Sequence, residues 1–112
     1  MNRPALEADW LALTRETLPT LARERDWPVS ADHCFQRILL DHAVGGCWYD
    51  HIGGRPAYRY LDDERLAVAL ALGRAVAAGT ADLDALNRQS LAWRGKRQPR
   101  RKPRSTLPSV DR

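Results

Sequence analysis

The sequence predicts an all-α protein, a small antiparallel helical bundle of about four helices with a disordered basic tail at its C-terminus. Three observations lead there. Apolar residues recur at three- and four-residue spacing in four separate stretches. No stretch of strand length alternates apolar and polar residues. Gly45-Gly46, Gly79 and Gly95 stand at the ends of periodic stretches, and Asp26-Trp27-Pro28-Val29 separates the first two.

The first helix is expected from Pro4 to Arg25. Leu6, Trp10, Leu13, Thr17 and Leu21 form its inner face, with Leu11 and Leu18 beside them. Pro4 suits a first helical turn, where a missing N–H is not needed. Pro19 falls inside this stretch. It removes one backbone hydrogen bond and should kink or split the helix near Leu18.

Asp26-Trp27-Pro28-Val29 reads as a connector, because the residue before a proline avoids helical geometry. Ser30 is the expected N-cap of a second helix, Ala31 to Val44, with Asp32 placing a negative charge in its first turn. Phe35, Ile38, Leu39 and His42 share its inner face, with Cys34 at the edge. Arg37 and Asp41 lie one turn apart and are expected to pair. Asp41 stands out as a carboxylate among core positions.

Gly45-Gly46 should stop this helix. Cys47–Ile52 has no clear periodicity, and Gly53-Gly54-Arg55-Pro56 reads as a loop. Asp62-Asp63-Glu64 is an acidic helix start. The third helix, Asp63 to Ala78, is dominated by alanine, with Leu66, Leu70, Leu72 and Val76 as its bulk. Gly79 is the expected C-cap and Thr80 the N-cap of a fourth helix that ends at Gly95. Its inner face is Leu83, Leu86, Ser90 and Trp93, supported by Leu91.

The 112 residues are enough for one domain, and a hydrophobic fraction of 44% allows a small core. Charge divides the chain at the end of the fourth helix. Residues 1–94 hold 11 Arg, no Lys and 13 Asp or Glu, a net −2. Residues 95–112 hold 7 Lys or Arg and one Asp, a net +6. The expected organisation is a helical domain over 1–94 and a tail over 95–112. Lys96, Arg97, Arg100, Arg101, Lys102 and Arg104 are interspersed with prolines and no apolar residue, a composition that cannot offset its ordering entropy alone. Such cations can neutralise the phosphates of nucleic acid or meet an acidic protein partner. No apolar face accompanies them, so a membrane surface is not expected.

The N-terminal residues carry charges where a secretory leader needs an apolar run, and two cysteines do not make a disulfide framework. The expected location is the cytoplasm.

All five histidines and cysteines lie between His33 and His51. Read as metal ligands, the order is Cys34, His42, Cys47, His51. Cys47 and His51 could form a close pair on one helical turn. Cys34 and His42 would stand about 12 Å apart along a helix at 1.5 Å per residue, too far to share one ion without distortion. No metal and no cofactor are therefore expected. Read as catalysts, Cys47 with His51 or His42 could supply a nucleophile and base, and Asp41 could join in proton transfer. The competing reading is a sharp turn at Gly45-Gly46 that lets Cys47-Trp48-Tyr49 pack over the second helix. Tyr58, Tyr60, Trp48 and Trp93 are expected at the core or its edge. Arg55-Pro56-Ala57-Tyr58-Arg59-Tyr60 also interleaves arginines with aromatics, a pattern that suits stacking on bases beside phosphates.

The stretch HCFQRILLDHAVGGCWYD, the RPAYRYL turn and the ending LNRQSLAWRGKR resemble a family of short bacterial proteins with the form HCF-x-RI-x-LD, then PAY, then LN-x-x-SL-x-WRGK. The resemblance covers roughly residues 33–97. Members are often described as GNAT-type N-acetyltransferases, which implies acetyl-CoA binding and acyl transfer. Those enzymes carry a Gln/Arg-x-x-Gly-x-Gly/Ala loop between a strand and a helix, and no such run occurs in this chain. The resemblance supplies no catalytic residues. The chain is accordingly expected to be either of two things. One is a non-catalytic helical binding module aided by its basic tail. The other is an acetyltransferase-related enzyme or subunit centred on residues 33–51.

Overall fold

The computed structural model describes residues 2–95, all helix, turn and loop. The tail, with Lys96, Arg97, Arg100, Arg101, Lys102 and Arg104, lies outside the described residues. The expected all-α fold is correct.

The N-terminal rod has three parts: α1 (Arg3–Ala12), a π-helical turn (Leu13–Thr17) and α2 (Leu18–Arg25). Asn2 caps α1 by accepting from the Ala5 N–H. Pro19 neither breaks the rod nor ends it. The Leu18 N–H reaches back five residues to the Leu13 carbonyl, and Pro19 occupies the first turn of α2, where its missing donor has no consequence. The wider turn holds one residue more than an α-helical path would. The inner face consequently advances by one position: Leu18 and Ala22 are buried where Thr17 and Leu21 were expected, and Thr17 is exposed. Thr14 is buried in the π turn, donating to the Trp10 carbonyl at 2.9 Å and accepting from Gln36 Nε2 at 3.0 Å.

The rod ends at Asp26, a non-glycine residue in left-handed geometry with φ 56°. Trp27 then packs edge-on against Phe35, ring centroids 6.1 Å apart. Helix α3 (Asp32–Val44) starts one residue later than expected and is not capped by Ser30. Ala31 is its N-cap, and the Asp32 carboxylate accepts from the His33 N–H instead. Gly45 ends α3 at φ 75°, a conformation open to glycine without steric cost, and the Asp41 carbonyl accepts from both Gly45 and Gly46.

Two short 3₁₀ turns follow, Trp48–Asp50 and Ala57–Tyr60, joined by the expected glycine loop. Helix α4 spans Asp63–Ala78, as the sequence predicts, with Asp62 as N-cap and Gly79 in left-handed geometry after it. Helix α5 spans Leu83–Gly95. Its first free N–H groups are met by Asp82, which accepts from Ala85, rather than by Thr80. The Thr80 hydroxyl turns back to donate to the Ala75 carbonyl.

Helix α3 lies at the centre, packed on α4, α5 and the π turn. The core joins Trp10, Leu18, Phe35, Ile38, Leu39, Leu66 and Val76, all essentially inaccessible. Gly73 lets α4 approach its neighbours closely. A Cβ there would stand 2.5 Å from Leu13 Cδ2 and 2.9 Å from Leu39 Cδ1. Arg3 closes the other end of the bundle. It holds Glu7 at 2.8 Å, Asp63 at 2.6 Å and the Tyr58 carbonyl at 2.8 Å, tying α1 to the second 3₁₀ turn and the start of α4. Among the described residues, no helix is long and apolar enough to cross a membrane.

Candidate functional site: a basic, aromatic cleft

The site grows from one buried carboxylate. Asp41 has no solvent-accessible side chain, and a carboxylate in such a place needs donors on both oxygens. It has four. Arg94 of α5 grips it with two nearly parallel bonds, Nε to Oδ2 at 2.9 Å and Nη2 to Oδ1 at 3.0 Å. The Ser90 hydroxyl donates to Oδ2 at 2.7 Å, and the Trp48 N–H donates to Oδ1 at 3.0 Å. One residue thus locks α3 to α5 and to the loop after α3.

The expected ion pair between Arg37 and Asp41 does not form. Arg37 instead donates to neutral acceptors of α5, Ser90 Oγ at 2.8 Å and Asn87 Oδ1 at 2.8 Å. Both residues face α5, and a helix arriving with Arg94 in position satisfies Asp41 with a forked geometry that a one-turn neighbour does not match. Ser90 stands between them, accepting from Arg37 and donating to Asp41.

Burial alone lowers the pKa of Arg94. Its hydrogen bonds to Asp41 and Tyr49, and the Asp41 charge, outweigh that and hold the guanidinium above its ordinary value. Arg94 also lies over the Tyr49 ring, 4.8 Å from its centroid. Arg55 covers the same pair of aromatics from the glycine loop, 5.3 Å from the Trp48 centroid and 5.6 Å from that of Tyr49. Trp48 and Tyr49 themselves sit 4.4 Å apart at 57°.

These groups surround a cleft of about 330 Å³ between the outer side of α3 and the two 3₁₀ turns. Arg37, Arg55 and Arg94 line it together with Trp48, Tyr49 and Tyr58, and His33 stands at its side. Among the described residues, no carboxylate lines it. Among the same residues, Arg94 alone of the three arginines forms an ion pair.

The other candidates from the sequence are placed as follows. Cys47 is buried at 3% exposure, directly before the first 3₁₀ turn. His51 is exposed, its ring close over Gly46. His42 donates through Nε2 to the Leu86 carbonyl at 2.9 Å and packs edge-on against Trp93 at 5.0 Å, which fixes its tautomer and its place at the α3–α5 seam. Among the described residues no three His, Cys, Asp or Glu side chains gather as metal ligands would. Tyr58 is buried as expected, and Trp93 and Trp48 are half-buried, but Tyr60 is 62% exposed and Leu91 51%.

No protein-family model matches the chain. Neither a curated protein nor a solved structure is significantly similar to it. Sequence reasoning picked out Asp41 and the arginine–aromatic alternation around Arg55. It placed Ser90 on the inner face of the fourth helix without giving it a partner, and it missed Arg94 and Asn87; the spacing along α5 (87, 90, 94) puts these polar groups on one helical face and was the available signal.

Proposed function

We propose that the chain is a non-catalytic binding module for nucleic acid, with its folded domain contributing a defined cleft and its basic C-terminal segment contributing sequence-independent affinity. The observation that carries this reading is the cleft itself: three arginines and three aromatic rings, with no carboxylate among the described lining residues. Guanidinium groups bind phosphates as bidentate partners, and the half-exposed Tyr49 ring at the cleft can take a base on its free side. The seven cations after residue 94 add counterion release of the kind that steers any polyanion.

Asp41 supports a binding role rather than a catalytic one. Its side-chain hydrogen bonds go to groups that hold helices and loop together, and it is buried behind the cleft.

The test is an anisotropy titration of the full chain with single-stranded RNA at about 50 and about 200 mM salt, the range over which phosphate binding weakens steeply. Binding that falls with salt and is weakened in Arg55→Ala supports the reading. Tighter binding to an acidic peptide of equal charge would move the partner to protein. Saturable acetyl-CoA binding with none to RNA would replace the reading with acyl transfer.

A further inference from the structure

The cleft does more than add positive charge. We infer that it receives a terminal phosphate monoester at the end of a single nucleic-acid strand, an inference that rests on the nucleic-acid reading above.

Charge is the first support. Asp41 neutralises Arg94. Arg37 is held by the neutral side chains of Ser90 and Asn87, and Arg55 by the faces of Trp48 and Tyr49. Two guanidinium groups without a carboxylate partner among the described residues thus face one cleft. A phosphate monoester carries about −1.5 to −2 near neutral pH, against −1 for an internal diester. The monoester is the closer match.

Orientation is the second. A guanidinium has five N–H donors in a flat fork. Arg37 gives two to Ser90 and Asn87, which fix its plane and leave three. Arg55 gives none to a hydrogen bond with the described residues, while cation–π interaction at 5.3 and 5.6 Å sets it against the two rings. Both forks are positioned before any ligand arrives, so little side-chain entropy is lost on capture.

Size is the third. About 330 Å³ lies at the small end of ligand cavities, roughly 300–1,000 Å³. It accommodates one terminal phosphate with its sugar, the base lying at the exposed edge beside Tyr49. It does not accommodate a run of nucleotides, which a groove for internal strand would need.

The experiment compares single-stranded oligouridylates of about ten nucleotides, one phosphorylated at both ends and one with hydroxyls at both ends, on the full chain at about 100 mM salt. The phosphorylated strand is expected to bind roughly tenfold tighter, and Arg55→Gln to bring the two to parity without moving the thermal midpoint, because Arg55 is exposed. Uridine 5′-monophosphate serves as competitor. Equal affinity for the two strands overturns the inference and leaves the nucleic-acid reading standing. A preference that survives in Arg55→Gln places the monoester elsewhere and overturns it too. If the free nucleotide binds as tightly as the phosphorylated strand, the ligand is a mononucleotide and the strand-end assignment fails. If neither strand binds, both readings fall.

Discussion

Asp41 and Arg94 are 53 residues apart in sequence and meet as a two-point ion pair, the carboxylate fully buried and the arginine side chain 15% exposed. The pair joins the central helix to the last one. Removing Arg94 alone leaves a buried charge without its counterion, whereas removing both partners takes the charge away as well and leaves only the neutral Trp48 N–H and Ser90 hydroxyl without their acceptor.

Arg94→Leu should therefore destabilise the domain by about 3–5 kcal/mol, measured by urea unfolding. The double variant Asp41→Leu/Arg94→Leu should be more stable than that single variant. A double variant as unstable as the sum of the two singles would show that the residues do not act as a unit.

The Arg94 proton should hold this pair together far into alkaline solution. Its folded pKa is raised above its ordinary value, so its contribution is fully present below the unfolded pKa and is lost only as pH rises through the folded one. The stability difference between wild type and Arg94→Leu should stay flat from pH 7 to about 10, well below that window. A difference that decays across this range would contradict the assignment.

Gly73→Ala should cost about 1–2 kcal/mol. The new methyl must displace Leu13 and Leu39, an overpacking cost of about 1–3 kcal/mol, partly offset by up to about 1 kcal/mol of better helix propensity. Gly53→Ala is the control, since nothing lies within 4 Å of its Cβ position. Its thermal midpoint should match wild type.

Trp93→Ala should cost about 1–3 kcal/mol, less than the roughly 3–5 of a fully buried tryptophan, because Trp93 is half-buried against His42. A loss of cooperative unfolding in this variant would mean that the α3–α5 seam depends on Trp93 more than its burial implies.

Deleting residues 96–112 should leave the helical domain folded, with an unchanged far-ultraviolet signal per helical residue. RNA affinity should fall. The slope of log affinity against log salt should flatten by about 0.7 for each single-strand phosphate that the shortened chain no longer neutralises. An unchanged slope would assign the whole interaction to the cleft.

The parts of the fold that were legible in sequence are those governed by local chemistry. Asp62, Asp63 and Gly79 bracket α4 at the residues expected, because caps and left-handed glycines act within one turn of the chain. The illegible parts were decided by packing between helices. Pro19 could be absorbed by a kink or by a wider turn, and the wider turn keeps both Leu13 and Leu18 in the core. In the cleft, the alternation around Arg55 was visible because it is local. The partner of Asp41 was not. Arg37 was the nearest cation in sequence, yet which side chain reaches a carboxylate depends on where α5 lands. Tyr60 was expected at the core or its edge, but in a 3₁₀ turn residues three apart eclipse, and Tyr60, two from the buried Tyr58, points outward.

Between Trp10 and Ala22 the rod contains a surplus residue, and the residues on both sides still reach the core. Chain length and burial are uncoupled at this one place. A sequence that shed one residue between Thr14 and Leu18 would return to an α-helical path with the same face turned to α3 and α4, which makes this turn the place in the rod where a one-residue deletion leaves the inner face in register.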